Sequence, residues 1–147
     1  MNSNYSSKSA IHIAAPRSRV WAALTTPDQI KQWFFGVDTV SNWKVGSPLI
    51  HKGVWQGKPY EDKGVIIQIN PPGLLEHSHW SPLSGLPDRP ENYEHVTWAL
   101  VEQGDGTDLT ISEVNLPSQA AQDLSEKNWQ MVLGNLKALV EKQPARA

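Results

Sequence analysis

The sequence predicts an α+β domain in which a curved antiparallel sheet of six to seven strands wraps around one long C-terminal helix, while two short helices close one end. Residues 118–142 carry the longest apolar repeat of helical period. From residue 37 onward, apolar residues recur instead with period two, in runs joined by short turns. Short turns imply antiparallel neighbours, and a single long helix can bury its apolar stripe only on the concave face of the sheet.

The C-terminal helix is expected to begin with Ser118 as its N-cap, and Pro144 prevents its continuation. Three polar residues, Ser125, Asn128 and Asn135, project onto its otherwise apolar face. Two explanations stand: local hydrogen bonding at a partly hydrated edge, or a cavity with some polar content. The apolar face itself consists of Ala121, Leu124, Val132, Leu136 and Leu139, with Trp129, Leu133 and Val140 at its flank.

The first third of the chain predicts one strand and two short helices. Residues 8–14 alternate weakly between apolar and polar, which is typical of a strand. Pro16 fits the first turn of a helix, and Thr26 and Pro27 provide the N-cap and first residue of a second one. Gly36 ends that second helix. Two short helices in tandem are too small to cover a sheet, but they can close one end of it.

The remaining strands follow in a meander before the C-terminal helix. Turn residues separate them, most clearly at 71–73 (Pro-Pro-Gly) and 104–106 (Gly-Asp-Gly). Residues 81–92 hold three prolines and form a loop that is long enough to suggest a function. The predicted strands are 37–43, 48–56, 60–70, 74–80, 93–102 and 107–115.

Length and composition indicate a single domain of an ordinary globular protein. We assign residues 8–143 to this domain, 1–7 to a disordered N-terminus and 144–147 to a flexible tail. The net charge of −2 disfavours nucleic acid as a partner. The absence of cysteine excludes disulfides and thiol catalysis, and no apolar run reaches membrane-spanning length. A cytoplasmic location is therefore expected, with no membrane partner.

A series of short fragments in a characteristic order extends from about Ser9 to Glu141. These fragments resemble the START-like, birch-pollen-allergen-type domains of the SRPBCC superfamily, and within it the homologues of the activator of the heat-shock-protein-90 ATPase. The resemblance implies a helix-grip fold and supplies no catalytic residues. The fragments are Ala15-Pro16, Val20-Trp21, Leu24-Thr25, Pro27, Trp33-Phe34, Gly57, Tyr60, Gly64, Pro71-Pro72, Gly106-Thr107, Leu109-Thr110, Trp129, Val132-Leu133, Leu136-Lys137 and Leu139.

Strand alternation predicts which side chains face the long helix. Four polar residues fall on this inward face: His51, His77, His79 and Glu113. They could be hydrated at an open rim, could orient a mostly apolar ligand, or could form a metal or acid–base site in which His77 and His79 chelate with Glu113. The apolar inward set is Trp55, Val65, Ile67, Ile69, Trp98, Leu100, Leu109 and Ile111.

The leading functional hypothesis is a protein that binds a small apolar or aromatic molecule between the sheet and the long helix. An enzyme of the cyclase or hydrolase type in the same cavity is one alternative, and a stress-related protein-interaction module is another. We expect no cofactor, no metal and no catalytic residue, and a homodimer is left open. The predicted ligand-binding residues are Trp33, Phe34, His51, Trp55, Ile67, His77, His79, Trp98, Glu113, Asn128, Trp129, Val132 and Leu136.

Overall fold

Residues 5–142 are described by the computed structural model, which contains seven strands, three α-helices and two short 3₁₀ turns. The 3₁₀ turns, Pro82–Ser84 and Pro90–Asn92, lie in the predicted loop. The remaining elements are β1 (Tyr5–Ile13), α1 (Arg17–Thr25), α2 (Pro27–Trp33), β2 (Asp38–Ser41), β3 (Pro48–Trp55), β4 (Lys58–Asn70), β5 (Leu74–His79), β6 (Glu94–Gln103), β7 (Gly106–Leu116) and α3 (Gln119–Lys142).

All seven strands form one antiparallel sheet in the order β1-β7-β6-β5-β4-β3-β2. Helix α3 packs across β1 and β7 and touches α1 and α2, which close one end of the sheet. The α+β helix-grip prediction is therefore confirmed. Strands β2 to β7 are neighbours in chain order because short connections join successive antiparallel strands. The last strand, β7, also pairs with the first strand, β1, at its other edge.

Helix α3 begins as predicted, because Ser118 Oγ accepts a hydrogen bond from the Ala121 backbone N–H over 3.1 Å. Its buried face, however, is rotated from the predicted stripe. Leu124 is 58% exposed, whereas Leu133 and Val140, predicted at the flank, are fully buried. Leu124 borders a pocket and not the core, whereas Leu133 and Val140 pack in the core. The buried helix residues are Ser125, Val132, Leu133, Leu136 and Val140.

Strand β1 begins at Tyr5, so the prediction of disorder for residues 5–7 is wrong. Ser7 pairs with Glu113 in β7, is 4% exposed, and its Oγ lies 2.7 Å from Ser125 Oγ. A small hydroxyl side chain can be buried there because it finds a hydrogen-bond partner. Residues 1–4 and the predicted tail at 144–147 lie outside the described residues.

The two short helices follow the predicted start signals with one difference. Helix α2 begins at Pro27 after Thr26, but the Thr26 side chain makes no capping hydrogen bond. The fixed φ of proline favours this first turn without the side-chain cap. Trp33 holds α2 against α1, because its Nε1 donates to the Ala23 carbonyl over 2.8 Å.

A β-bulge in β4 overturns the predicted inward set of that strand. Ile66 pairs with His77, but the next pair is Gln68 with Glu76, so Ile67 is the extra residue. The bulge shifts the alternation by one residue, and Ile66 is buried instead of Ile67. On the N-terminal side of the bulge, Val65 is 43% exposed, which contradicts its predicted inward position. Only Ile69, beyond the bulge, packs against the core as expected.

Candidate functional site

A pocket of about 870 Å³ lies between the sheet and the first half of α3. Its walls come from α2, the inner faces of β3 to β7, and one face of α3. The part of α3 that borders the pocket runs from Ala121 to Val132. Large, exposed apolar side chains surround the opening: Phe35, Val54, Trp55, Leu83 and Leu124.

Four aromatic rings in contact form one wall of the pocket. Trp33 meets Trp98 edge to face with centroids 5.9 Å apart, and Trp98 meets Trp129 in the same way at 5.4 Å. Phe34 stacks on Trp33 at 5.4 Å and on Trp129 at 6.1 Å. Aromatic pairs favour such offset or edge-on arrangements, and together the four rings make this wall apolar.

Two histidines on this apolar side are neutral. His77 Nδ1 donates to the Ser78 carbonyl, and its Nε2 accepts from Trp98 Nε1 over 3.2 Å, which requires an unprotonated Nε2. Burial lowers the pKa of His77 to about 4. Burial, together with His77 and His79, lowers the pKa of His51 to about 3. His51 Nδ1 lies 2.8 Å from Thr39 Oγ1.

The third histidine, His79, carries a positive charge. Its Nδ1 donates to Glu94 Oε1 over 3.1 Å, and its Nε2 donates to Asp62 Oδ2 over 3.2 Å. Burial alone would lower its pKa, but the hydrogen bonds and negative charges of Asp62 and Glu94 outweigh that effect and raise the pKa to about 10. The polar end of the pocket therefore contains one imidazolium between two acidic side chains.

Glu113 extends this cluster towards α3. Its Oε1 accepts hydrogen bonds from Ser125 Oγ over 2.6 Å and from Trp129 Nε1 over 3.1 Å, and it is 6% exposed. Burial disfavours its ionised form, but hydrogen bonds from Glu94, Ser125 and Trp129 and the charge of His79 together lower its pKa below the usual range.

Glu94 is the carboxyl that holds a proton. Burial raises its pKa, and its hydrogen bond to the Glu113 carboxylate and the charge of that group raise it further, to about 7, against the opposing effect of His79. Two carboxyl groups in contact cannot both ionise without a large cost, so one keeps its proton. With a pKa of about 7, Glu94 holds this proton in about half of the molecules at pH 7, and in that form it donates to ionised Glu113.

The predicted site residues mostly line this pocket. Ile67 does not, because of the bulge, and Leu136 is buried in the core beyond the pocket. Asn128 lines the mouth and Ser125 the interior, whereas Asn135 is exposed. The predicted residues that line the pocket are Trp33, Phe34, His51, Trp55, His77, His79, Trp98, Glu113, Asn128, Trp129 and Val132. Their role in binding stays a prediction.

Two members of the charged cluster were missed by the sequence analysis. Glu94 lies two residues before Val96 in β6, so the alternation that placed Val96 inward also places Glu94 inward. Asp62 lies in phase with Gly64 and Ile66, whereas the sequence predicted the opposite phase of β4, with Val65, Ile67 and Ile69 inward. The inward position of Glu94 could therefore be predicted from the sequence, whereas that of Asp62 could not.

The alternative of a metal chelate by His77, His79 and Glu113 is not supported by the geometry, because His77 Nε2 accepts a hydrogen bond from Trp98 Nε1. Among the described residues, His79, Glu94 and Glu113 do offer ligand atoms within 4.8 Å of one another. Both nitrogens of His79 already donate to carboxylates, so a cation would have to displace a proton held with a raised pKa. The cluster of His79, Glu94 and Glu113 is therefore better suited to holding a proton and forming hydrogen bonds than to binding a metal ion.

The fold and pocket define a START-like helix-grip domain with a mainly apolar interior. More specifically, the chain belongs to the family described as Activator of Hsp90 ATPase homolog 1-like protein, whose sequence model matches residues 14–141. The identification by resemblance is thereby confirmed. The part of the chain that the structure describes holds no helix long and apolar enough to cross a membrane.

Comparison with solved structures supports this assignment. ChR145 from Cytophaga hutchinsonii is 42% identical, with a TM-score of 0.82 over 96% of this chain and 97% of that one. CalU16 from Micromonospora echinospora is 26% identical, with a TM-score of 0.72 over 93% and 76%. The Aha1 dimer from Colwellia psychrerythraea is 20% identical and shares the fold, with a TM-score of 0.75 over 95% and 98%. A comparison with curated proteins found no match.

Proposed function

We propose that this protein binds a small hydrophobic or aromatic molecule in the pocket between the sheet and α3. The observation that carries the proposal is the pocket of about 870 Å³ with its aromatic wall. Pockets that hold small molecules have volumes of roughly 300–1,000 Å³, with mostly apolar walls and a few polar groups. The wall formed by Trp33, Phe34, Trp98 and Trp129 meets this description.

The opening supports access for an apolar molecule. Phe35, Trp55, Leu83 and Leu124 are each more than half exposed around it. Exposed apolar side chains are unremarkable when scattered singly, but a ring of them around a pocket is typical of a binding site. A pocket that is open and this large also weighs against the interaction-module hypothesis, which needs no internal space.

The test uses a matched pair of substitutions on α3. Asn128→Trp places a bulky ring at the mouth of the pocket, whereas Asn135→Trp places the same ring on the exposed face of the same helix. The neutral fluorescent probe N-phenyl-1-naphthylamine is titrated into both variants and into wild type. We expect saturable binding to wild type and Asn135→Trp, with binding weakened about tenfold or more in Asn128→Trp.

Absence of saturable binding below about 100 μM in wild type, roughly −5.5 kcal/mol, would contradict the proposal. Equal binding by both variants would place the probe elsewhere on the surface. Native mass spectrometry of freshly purified protein would show any retained ligand in the same preparation. It would also report the subunit number, which bears on a homodimer of the kind that the Colwellia protein forms.

Catalysis in the same pocket is the second candidate, and Glu94 is the observation that favours it. A carboxylic acid with a pKa of about 7 can donate a proton at neutral pH. An enzyme would convert the retained ligand on incubation, and Glu94→Gln would stop conversion while binding persists. Binding without turnover would leave the protein a carrier or sensor.

A further inference from the structure

We infer that the pocket selects, among apolar and aromatic molecules, those that carry a protonated amine over those that carry a carboxylate. This inference rests on the proposed binding function and specifies the chemistry of the ligand's polar end. It follows from the composition of the charged cluster, from an unpaired acceptor within it, and from the position of Trp129.

The polar end of the pocket is acidic. Asp62, Glu94 and Glu113 face a single cation, His79, and both nitrogens of His79 already donate to carboxyl groups of this cluster. No lysine or arginine belongs to the described lining of the pocket. A ligand carboxylate would add a further negative charge at a partly buried site, and no free cation is available to pair with it among the described lining residues. A ligand ammonium would balance the excess.

Asp62 provides an acceptor for such a ligand. Its Oδ2 accepts from His79, but its Oδ1 is buried and has no hydrogen-bond partner among the described residues. The side chain is 14% exposed and lines the pocket. A buried carboxylate oxygen without a donor is costly, and an N–H group of a bound ammonium would satisfy it.

The aromatic wall adjoins this acidic end. Trp129 Nε1 donates to Glu113 Oε1, so the indole ring lies beside the cluster and also stacks on Phe34. An ammonium close to such a ring gains a cation–π attraction in addition to its hydrogen bonds. Glu94 would also favour a bound ammonium. A nearby cation lowers the pKa of Glu94, and the ionised carboxylate then attracts the ammonium more strongly.

Three probes with one ring system test the inference at pH 7: 1-naphthylmethylamine, 1-naphthalenemethanol and 1-naphthoic acid. The amine is protonated and the acid ionised, so the three differ in charge and little in size. We expect the amine to bind about tenfold or more tightly than the alcohol, and the acid to bind most weakly. Calorimetry gives the three dissociation constants.

Asp62→Asn, which keeps the shape of the side chain, should remove most of the preference for the amine and leave binding of the alcohol within about twofold. Its control is Glu61→Gln, which removes a charge from the exposed face of the same strand. A preference that survives in Asp62→Asn would overturn the assignment to this cluster. If Asp62→Asn does not fold, the order of the three dissociation constants in the wild-type protein still tests whether the pocket prefers an amine.

The three probes distinguish failure of the amine preference from failure of the binding function. If the alcohol binds and the acid binds as tightly as the amine, the inference is wrong and the binding function stands. If none of the three probes binds, the binding function itself fails.

Discussion

Ser125 Oγ lies 2.6 Å from Glu113 Oε1 and donates a hydrogen bond to it. Ser125 is also within hydrogen-bond distance of Ser7 in β1, so one small polar side chain joins α3 to two strands. This contact explains why a serine occupies an otherwise apolar helix face. It also orients the Glu113 carboxylate towards Trp129 and Glu94, at the boundary between the aromatic wall and the charged cluster.

Trp129→Ala should lower the free energy of unfolding by about 3 kcal/mol. This is the lower end of the usual range for truncating a tryptophan to alanine, because the Trp129 ring is only half-buried. Trp129→Phe keeps the ring contacts with Phe34 and Trp98 but removes the donor to Glu113. We expect it to cost about 1.5–3 kcal/mol, as for a hydrogen bond to a charged group. Urea denaturation measures both, and a midpoint unchanged in the alanine variant would show that α3 does not dock as described.

Gly64→Ala should destabilise the protein by about 3 kcal/mol or more, because an alanine Cβ there would lie 1.8 Å from the Ser78 carbonyl oxygen of the neighbouring strand. Gly134→Ala is the control. Nothing lies within 4 Å of its Cβ position in α3, so this change should stabilise by about 0.5–1 kcal/mol. Thermal unfolding of the two variants should therefore move in opposite directions, and a shared direction would contradict the close approach of β4 and β5.

Asp62→Asn should lower the pKa of His79 more than Glu113→Gln does. Asp62 accepts a hydrogen bond from the imidazolium, whereas Glu113 is hydrogen-bonded to Glu94 and not to His79. In Glu113→Gln the main change should be at Glu94, whose pKa falls once the neighbouring negative charge is gone. Titration of the imidazole and carboxyl signals by NMR measures both effects. An equal or larger shift of His79 in Glu113→Gln would mean that Glu113 is its principal partner.

The pH dependence of stability should show a maximum near pH 6.5. His51 and His77 have lowered pKa values of about 3 and 4, so below about 6.5 the unfolded chain takes up protons that the folded chain does not, and stability falls with falling pH. His79, with a pKa of about 10, acts in the opposite sense. Its contribution is fully present below about 6.5 and is lost as pH rises towards 10.

The other two shifted groups modify this profile. Glu94, raised to about 7, also loses stability as pH rises, in the window from its unfolded value of about 4.5 to about 7. Glu113 has a lowered pKa, so its contribution is present above about 4.5 and is lost on further acidification. Urea midpoints measured from pH 4 to 10 give the profile, and His79→Gln is the control. If the alkaline decline persists unchanged in that variant, His79 is not its source.

Much of the fold could be derived from the sequence because its signals are local. The period of three to four residues in 118–142 and the period of two from residue 37 onward depend only on neighbouring side chains. Proline and glycine marked the turns for the same reason. The inward positions of His77 and Glu113 also followed from alternation, since no bulge interrupts β5 or β7 where they lie.

The site itself depended on contacts that no local pattern contains. The bulge at Ile67 reversed the phase of β4 and brought Asp62 inward, which strand alternation did not anticipate. The charges of the three histidines then followed from which side chains met them. His77 faces Trp98 and is neutral, while His79, two residues away, lies between Asp62 and Glu94 and is charged.

The sequence by itself therefore determined the secondary structure, the family and most of the pocket lining, because periodicity and turn chemistry act over a few residues. Only the tertiary structure decided the protonation states and the acidic character of the pocket. The physical reason is that a pKa depends on burial and on charges within a few ångströms. Here those charges come from β4, β5, β6 and β7, which are separated in the chain and adjacent only in the sheet.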